Sequence, residues 1–156
     1  MSDMRLVVAG AAGRMGRALI RAIAETDGVV LAGALDAPHG AETGQDSGEL
    51  AGLGRNGIAV TGDAPAVLAA ADGVVDFTVP AATVALTEHS SIRGLVHVIG
   101  TTGFTPADHR VAASQRRRVI GEFVPAICCL DSVAHHDGFM PREPGSGCSS
   151  RVRSLL

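Results

Sequence analysis

The sequence predicts an α/β fold, a doubly wound parallel sheet with helices on both faces, on three observations. Short apolar runs alternate with helical patterns from the N-terminus to about residue 118. The first run leads straight into a glycine-rich turn and then a helix. The glycines, carboxylate and threonines that punctuate the pattern fall where strands end, and that is the edge at which such sheets bind ligands.

Each element has its own warrant. Arg5–Ala9 is continuously apolar after its arginine, as expected of a strand buried on both faces. Arg14–Thr26 carries Met15, Leu19, Ala22 and Ile23 at helical spacing. Val29–Leu35 reads as a second strand ending at Asp36, and the Gly-, Pro- and polar-rich residues 37–57 read as a loop. Ile58–Val60 is a weak third strand. Pro65, suited to a first helical turn, opens a short Ala-rich helix to Ala71. Val74–Phe77 is a fourth strand, Ala81–Arg93 a helix, and Val96–Ile99 a fifth strand ending at Gly100. Pro106 starts a last helix running to about Arg117, with Thr105 placed to cap it. Right-handed crossovers turn this order into a Rossmann-type sheet.

Composition narrows the function classes. At 156 residues the chain suits one compact domain. Four Phe with no Tyr or Trp leave the core to Val, Leu, Ile and Ala. A net charge of -3 argues against a broad electrostatic grip on nucleic acid or an anionic membrane. No apolar run approaches the ~20 residues that span a bilayer, and the N-terminal patch leads into a glycine turn instead of a cleavage site. A cytoplasmic protein is the expectation. Cys128, Cys129 and Cys148 lack metal-ligand spacing, so no metal site is expected.

Gly10-Ala11-Ala12-Gly13-Arg14-Met15-Gly16 joins the first strand to the first helix, with a glycine at every third position. Glycines there permit a tight turn, a close backbone approach to a pyrophosphate, and close helix–sheet packing. The helix N-terminus adds free N–H groups and partial positive charge. Asp36 lies 20 residues beyond Gly16, at the end of the next strand, where a carboxylate can accept hydrogen bonds from both ribose hydroxyls of an adenosine. The alternative is a structural turn beside a solvent-facing aspartate. Asp36 by itself disfavours the 2′-phosphate of NADP, and Ala37 supplies no cation. Arg14 stands open between compensating a 2′-phosphate and solvating its helix, so both NADH and NADPH stay in play.

Three stretches resemble the 4-hydroxy-tetrahydrodipicolinate reductase family: Val8–Arg17 (VAGAAGRMGR), Val75–Pro80 (VDFTVP) and Val98–Phe104 (VIGTTGF). Gly44–Gly54 is similar to that family's loop between its second and third strands, and the likeness covers residues 4 to about 118. The resemblance implies that Gly10, Ala11, Ala12, Gly13, Arg14 and Met15 wrap the pyrophosphate and that Asp36 holds the adenine ribose. It implies further that Gly100, Thr101 and Thr102 line the nicotinamide pocket, with Phe77 and Thr78 nearby. The implied reaction is hydride transfer from NADH or NADPH to a small molecule, 4-hydroxy-tetrahydrodipicolinate, giving tetrahydrodipicolinate on the route to diaminopimelate and lysine. A short-chain reductase with a Tyr-x-x-x-Lys pair is impossible, because the chain has no Tyr. A catalytically inactive dinucleotide-binding module stays open as an alternative, as does an unstable fragment.

Past residue 118 the periodicity ends. The expected organisation is an NAD(P)-binding domain over residues 1–120 and an irregular or disordered tail over residues 121–156. The resemblance implies a second, catalytic domain with a His-His pair and a following Lys, and its absence here predicts a truncated chain with weak or absent turnover. His135-His136 does not substitute for that pair, since Phe139 stands where the lysine belongs. No catalytic residue is therefore assigned. A shift of reading frame near codons 115–122 is the expectation that would account for the tail, and translating the alternative frames tests it. Oligomeric state is not legible.

Overall fold

The computed structural model describes residues 2–114 and 119–122. The elements are β1 (Met4–Ala9), α1 (Arg14–Ala24), β2 (Val29–Leu35), α2 (Ser47–Ala51), β3 (Val60–Thr61), α3 (Ala64–Leu68), β4 (Gly73–Asp76), α4 (Pro80–Arg93), β5 (Val96–Ile99), α5 (Pro106–Ser114) and β6 (Val119–Glu122). All neighbouring strands pair in parallel in the order β3-β2-β1-β4-β5-β6. This is the doubly wound order, and the reversal between β1 and β4 puts a crevice at their carboxyl ends.

The strands are apolar because each face carries a layer of helices. On one face Val7, Ala9, Leu35 and Val74 pack with Leu68 and Leu86; on the other, Val8 and Ala34 pack with Ile20, Ile23 and Ala51. Successive β1 residues thus go to opposite cores, as a period of two requires. The helical stripe expected on α1 is corrected by the structure. Gly16, Ile20 and Ile23 are buried, whereas Met15 is 50% exposed. The contact face is set by Gly16, which lies flat against the glycine turn and rotates Met15 outward.

Two described elements are absent from the sequence expectation. One is α2, inside the segment read as a loop, where five residues are too few to show a period. Asp46 organises it: Oδ1 accepts the Gly48, Glu49 and Asn56 amides at 2.9–3.1 Å, and Oδ2 accepts Gly57 N at 2.8 Å. Burial pushes the Asp46 carboxyl up, but these four amides outweigh it and hold it below the ordinary carboxylate value. The other is the edge strand β6, whose Val119-Ile120 is too short a run to announce itself. It crosses the boundary expected at residue 120. Strand β3 starts two residues later than expected and ends one later, because Val60 and Thr61 pair with Ala34 and Leu35. Helix α5 begins at Pro106 as expected, with Thr105 and Asp108 capping one another: Asp108 N donates to Thr105 Oγ1 at 3.3 Å and Thr105 N to Asp108 Oδ2 at 2.9 Å. The expected end of that helix and the tail from 123 to 156 lie outside the described residues. Among the described residues no helix is long and apolar enough to cross a membrane.

Arg5 ties β1 to the start of β4. Its guanidinium meets both Asp72 oxygens at 2.9 and 3.1 Å, and its amide donates to Oδ2 at 2.8 Å. The Arg5 side chain and amide hold the Asp72 carboxyl down to about 2, below its ordinary 3.8. Below about pH 4 the unfolded chain therefore binds the proton more readily than the folded one, and this pair's contribution fades as pH falls through about 2. We predict that the melting temperature of Asp72→Asn falls less steeply than that of wild type between those pH values, as read by circular dichroism.

Candidate functional site

The sheet's carboxyl edge gathers most of the residues singled out above. Gly10 follows β1 with φ +78°, and a Cβ there would stand 2.6 Å from the Phe77 carbonyl oxygen. Only glycine satisfies both conditions. The Gly10 and Ala11 amides both donate to the Leu35 carbonyl at 2.9 Å, and Gly13 N donates to Gly10 O at 3.0 Å. A Cβ on Gly16 would run into Gly10 O and the Ala11 backbone. The turn is thereby pinned to β2 on one side and covered by α1 on the other.

Helix α1 begins without a side-chain cap. Its first intrahelical bond runs from Arg17 N to Gly13 O at 3.0 Å, so the amides of Arg14, Met15 and Gly16 find no partner inside the helix. Donors of this kind, on the positive end of a helix, suit a phosphate. The Arg14 and Met15 side chains are exposed, while Ala11 is fully buried among the α1-side core residues with its amide spent on Leu35 O, so it supports the turn from within.

Asp36 faces this turn. Its Oδ2 accepts Ala12 N at 2.8 Å, and its Oδ1 accepts Ala37 N at 2.8 Å. A carboxylate has about four lone-pair sites, so roughly two stay available to hydroxyl donors. The carboxylate thus fastens the turn to the end of β2.

A groove of about 520 Å³ runs along this edge. Gly10, Gly13, Asp36, Phe77 and Thr78 border it, together with Pro38 and Gly62 on one wall and Ala82, Ala85, Leu86 and His89 of α4 on the other. Small apolar walls with one carboxylate at the rim match a flat base on a ribose. Sequence reasoning missed these walls, since alanines on an outward helix turn carry no chemical signature.

The second edge segment behaves differently from its sequence expectation. Gly100 is buried, and a Cβ on it would strike the Phe77 ring, so the room it provides is taken by Phe77. Thr101 is 2% exposed. Its hydroxyl accepts Thr83 Oγ1 at 2.8 Å and Thr78 N at 3.1 Å, and lies 3.3 Å from Asp76 Oδ1. It therefore faces inward and is not presented to the groove. Thr102 is exposed and does not border the groove.

Beneath these residues lies a buried polar cluster that the sequence reading passed over. Asp76, His97, Thr83, Thr87 and Ser90 are at most 2% exposed. Asp76 Oδ1 accepts the Thr78 hydroxyl at 2.6 Å and amide at 3.0 Å, and its Oδ2 faces His97 Nε2 at 3.3 Å. His97 Nδ1 meets Ser90 Oγ at 3.0 Å. Burial pushes the Asp76 carboxyl up, but the His97 and Thr78 hydrogen bonds bring it net below the ordinary value. A carboxylate inside an apolar central strand, and a histidine in its neighbour, were the available signals. Among the described residues no group of His, Cys, Asp or Glu is arranged to hold a metal ion.

Comparison with known proteins identifies the family. Two relatives named 4-hydroxy-tetrahydrodipicolinate reductase, from Rhodopseudomonas palustris (strain BisB18) and Bradyrhizobium diazoefficiens, are 60% identical over 118 residues and 58% identical over 120 residues. The matches cover 76% and 77% of this chain but 44% of each relative, so the chain spans less than half their length. A solved amine dehydrogenase from Mycobacterium smegmatis is similar over 64% of this chain and 30% of its own, with a TM-score of 0.52 and 31% identity. Residues 4–126 match the family model described as dihydrodipicolinate reductase, N-terminus. The chain belongs to the dihydrodipicolinate reductase family.

Proposed function

We propose that the chain binds NADH or NADPH in the groove at the β1–β2–β4 edge, as the cofactor-holding part of a 4-hydroxy-tetrahydrodipicolinate reductase acting in the cytoplasm on the route to diaminopimelate and lysine. One juxtaposition carries this reading: the uncapped N-terminus of α1 and the φ-positive Gly10 turn stand across from Asp36 on one groove. The fit is steric as well as polar. A Cβ on Gly13 would meet only Gly10 O, at 3.2 Å, so the turn's outer side is open to a ligand.

Within this site the Arg14, Met15 and Gly16 amides would hold the pyrophosphate, Asp36 the adenosine ribose, and the alanine wall of α4 the base. The bound nicotinamide supplies a hydride to the substrate. The residues described here bind and orient the cofactor and keep its adenosine half against an apolar wall. Titration of the purified chain with NADH, followed by nicotinamide fluorescence and by melting temperature, tests the proposal. Saturable binding with a raised melting temperature supports it, and a folded chain that binds neither dinucleotide refutes it.

A second reading is a dinucleotide-binding module without turnover, which the groove's mostly apolar lining would serve equally well. Oxidation of NADH in the presence of 4-hydroxy-tetrahydrodipicolinate separates the two. The first reading requires substrate-dependent loss of NADH absorbance, and the second requires binding without it.

A further inference from the structure

The buried cluster under β4 and β5 has no role in the site as described, yet it is connected to it. Asp76 is the last residue of β4, and its two oxygens divide their work. Oδ1 gathers the Thr78 amide, the Thr78 hydroxyl and the Thr101 hydroxyl, whereas Oδ2 faces His97 of β5. Proton accounting makes the arrangement directional. The Thr78 hydroxyl spends its proton on Asp76 and that of Thr83 goes to Thr101, which leaves the Thr101 proton for Asp76. Buried except at Thr78 and multiply satisfied, such a network has one geometry, and a missing member leaves several groups unpaired.

What this network fixes is the segment between its members. Phe77 lies between Asp76 and Thr78 and touches both halves of the site. Its carbonyl oxygen abuts Gly10 of the turn, and its ring covers Gly100 at the end of β5. Thr78 borders the groove. We propose that Asp76 is a positioning residue for the β4–β5 side of the dinucleotide site, holding Thr78, Thr101 and, through them, the Phe77 ring in the arrangement that receives the nicotinamide half. The inference rests on the dinucleotide reading above. On the adenosine side, Asp36, Pro38 and Gly62 share no hydrogen bond with the cluster among those described, and the α4 wall meets it only through Thr83, Thr87 and Ser90, whose backbone the helix itself holds.

The test compares wild type, Asp76→Ala and Asp76→Asn as full chains, with NADH and with ADP-ribose, at a temperature well below each variant's melting point. Asp76→Ala strips every acceptor, and NADH affinity is expected to fall about ten-fold, the scale of a lost hydrogen bond to a charged group. Asp76→Asn keeps an acceptor for Thr78 and Thr101, and is expected to recover affinity to within about three-fold of wild type. ADP-ribose, lacking the nicotinamide, is expected to change by less than about three-fold in both variants. A merely structural role would lower the melting temperatures but leave the folded protein's affinities at the wild-type value. Unchanged NADH affinity in Asp76→Ala overturns the inference, and so does an equal loss for NADH and ADP-ribose.

Should Asp76→Ala not fold, Thr101→Val removes the hydroxyl between Asp76 and the Thr78 amide at nearly constant volume. A three- to five-fold weakening for NADH alone is then expected, on the scale of one neutral hydrogen bond, and wild-type affinity overturns the inference. If wild type itself binds ADP-ribose but gains nothing from the nicotinamide, this inference fails alone. If it binds neither ligand, the dinucleotide reading fails and carries the inference with it.

Discussion

Gly16→Ala is expected to cost the domain about 3 kcal/mol and to abolish dinucleotide binding. The added Cβ would overlap Gly10 O, Ala11 Cα and Ala11 C, all of them backbone atoms. No rotamer change relieves a clash of backbone with backbone, so α1 must move away from the sheet. That movement uncovers Ile20 and Ile23 and displaces the amides proposed to hold the pyrophosphate. Thermal unfolding should show a drop of roughly 10 °C. Gly13→Ala is the informative contrast. Its Cβ meets only Gly10 O at 3.2 Å, so stability should change by less than about 1 kcal/mol, while the methyl group narrows the ligand side of the turn and weakens NADH binding. Equal melting temperatures for Gly16→Ala and wild type would contradict the packing described.

Asp36 carries the second large effect. Its carboxylate already accepts the Ala12 and Ala37 amides, and a ribose diol would complete its hydrogen bonding. A 2′-phosphate in the same place would instead meet a negative charge, with only alanine and proline following it in the chain. NADH is therefore expected to bind about ten-fold more tightly than NADPH at low ionic strength, with the gap narrowing as salt is added. Asp36→Ser should close the gap by weakening NADH and strengthening NADPH. It should also lower stability modestly, because the Ala12 amide loses a charged acceptor. Parallel titrations at two salt concentrations check this. A wild-type preference for NADPH would show that Arg14, or another cation, reaches the 2′ position.

Much of this was legible in the chain, and the parts that were not have specific causes. The strand–glycine–helix beginning, the second strand with Asp36 at its end, and β5 followed by Gly100 could be read because buried parallel strands are apolar throughout and because turns need glycine. The stripe on α1 was right at Leu19 and Ile23 and wrong at Met15 and Ala22, since a stripe drawn through apolar residues gives no weight to Gly16, the residue that sets the contact. Helix α2 was hidden because one carboxylate, Asp46, makes it by collecting amides from both ends of a loop. The orientation of Thr101 was hidden for a related reason. A threonine at a strand end looks the same in sequence whether it faces a ligand or a buried aspartate, and only the position of Asp76 decides between them.

The most direct measurement is amide chemical-shift mapping of the ¹⁵N-labelled full chain during titration with NADH. The predicted result is saturable perturbation of Gly13 through Gly16, Asp36, Gly62 and Thr78 with a single affinity, while Leu53 through Ile58, on the opposite side of the β2 layer, stay still. Saturable binding whose shifts leave the glycine turn and Asp36 unmoved would contradict the assignment of the site.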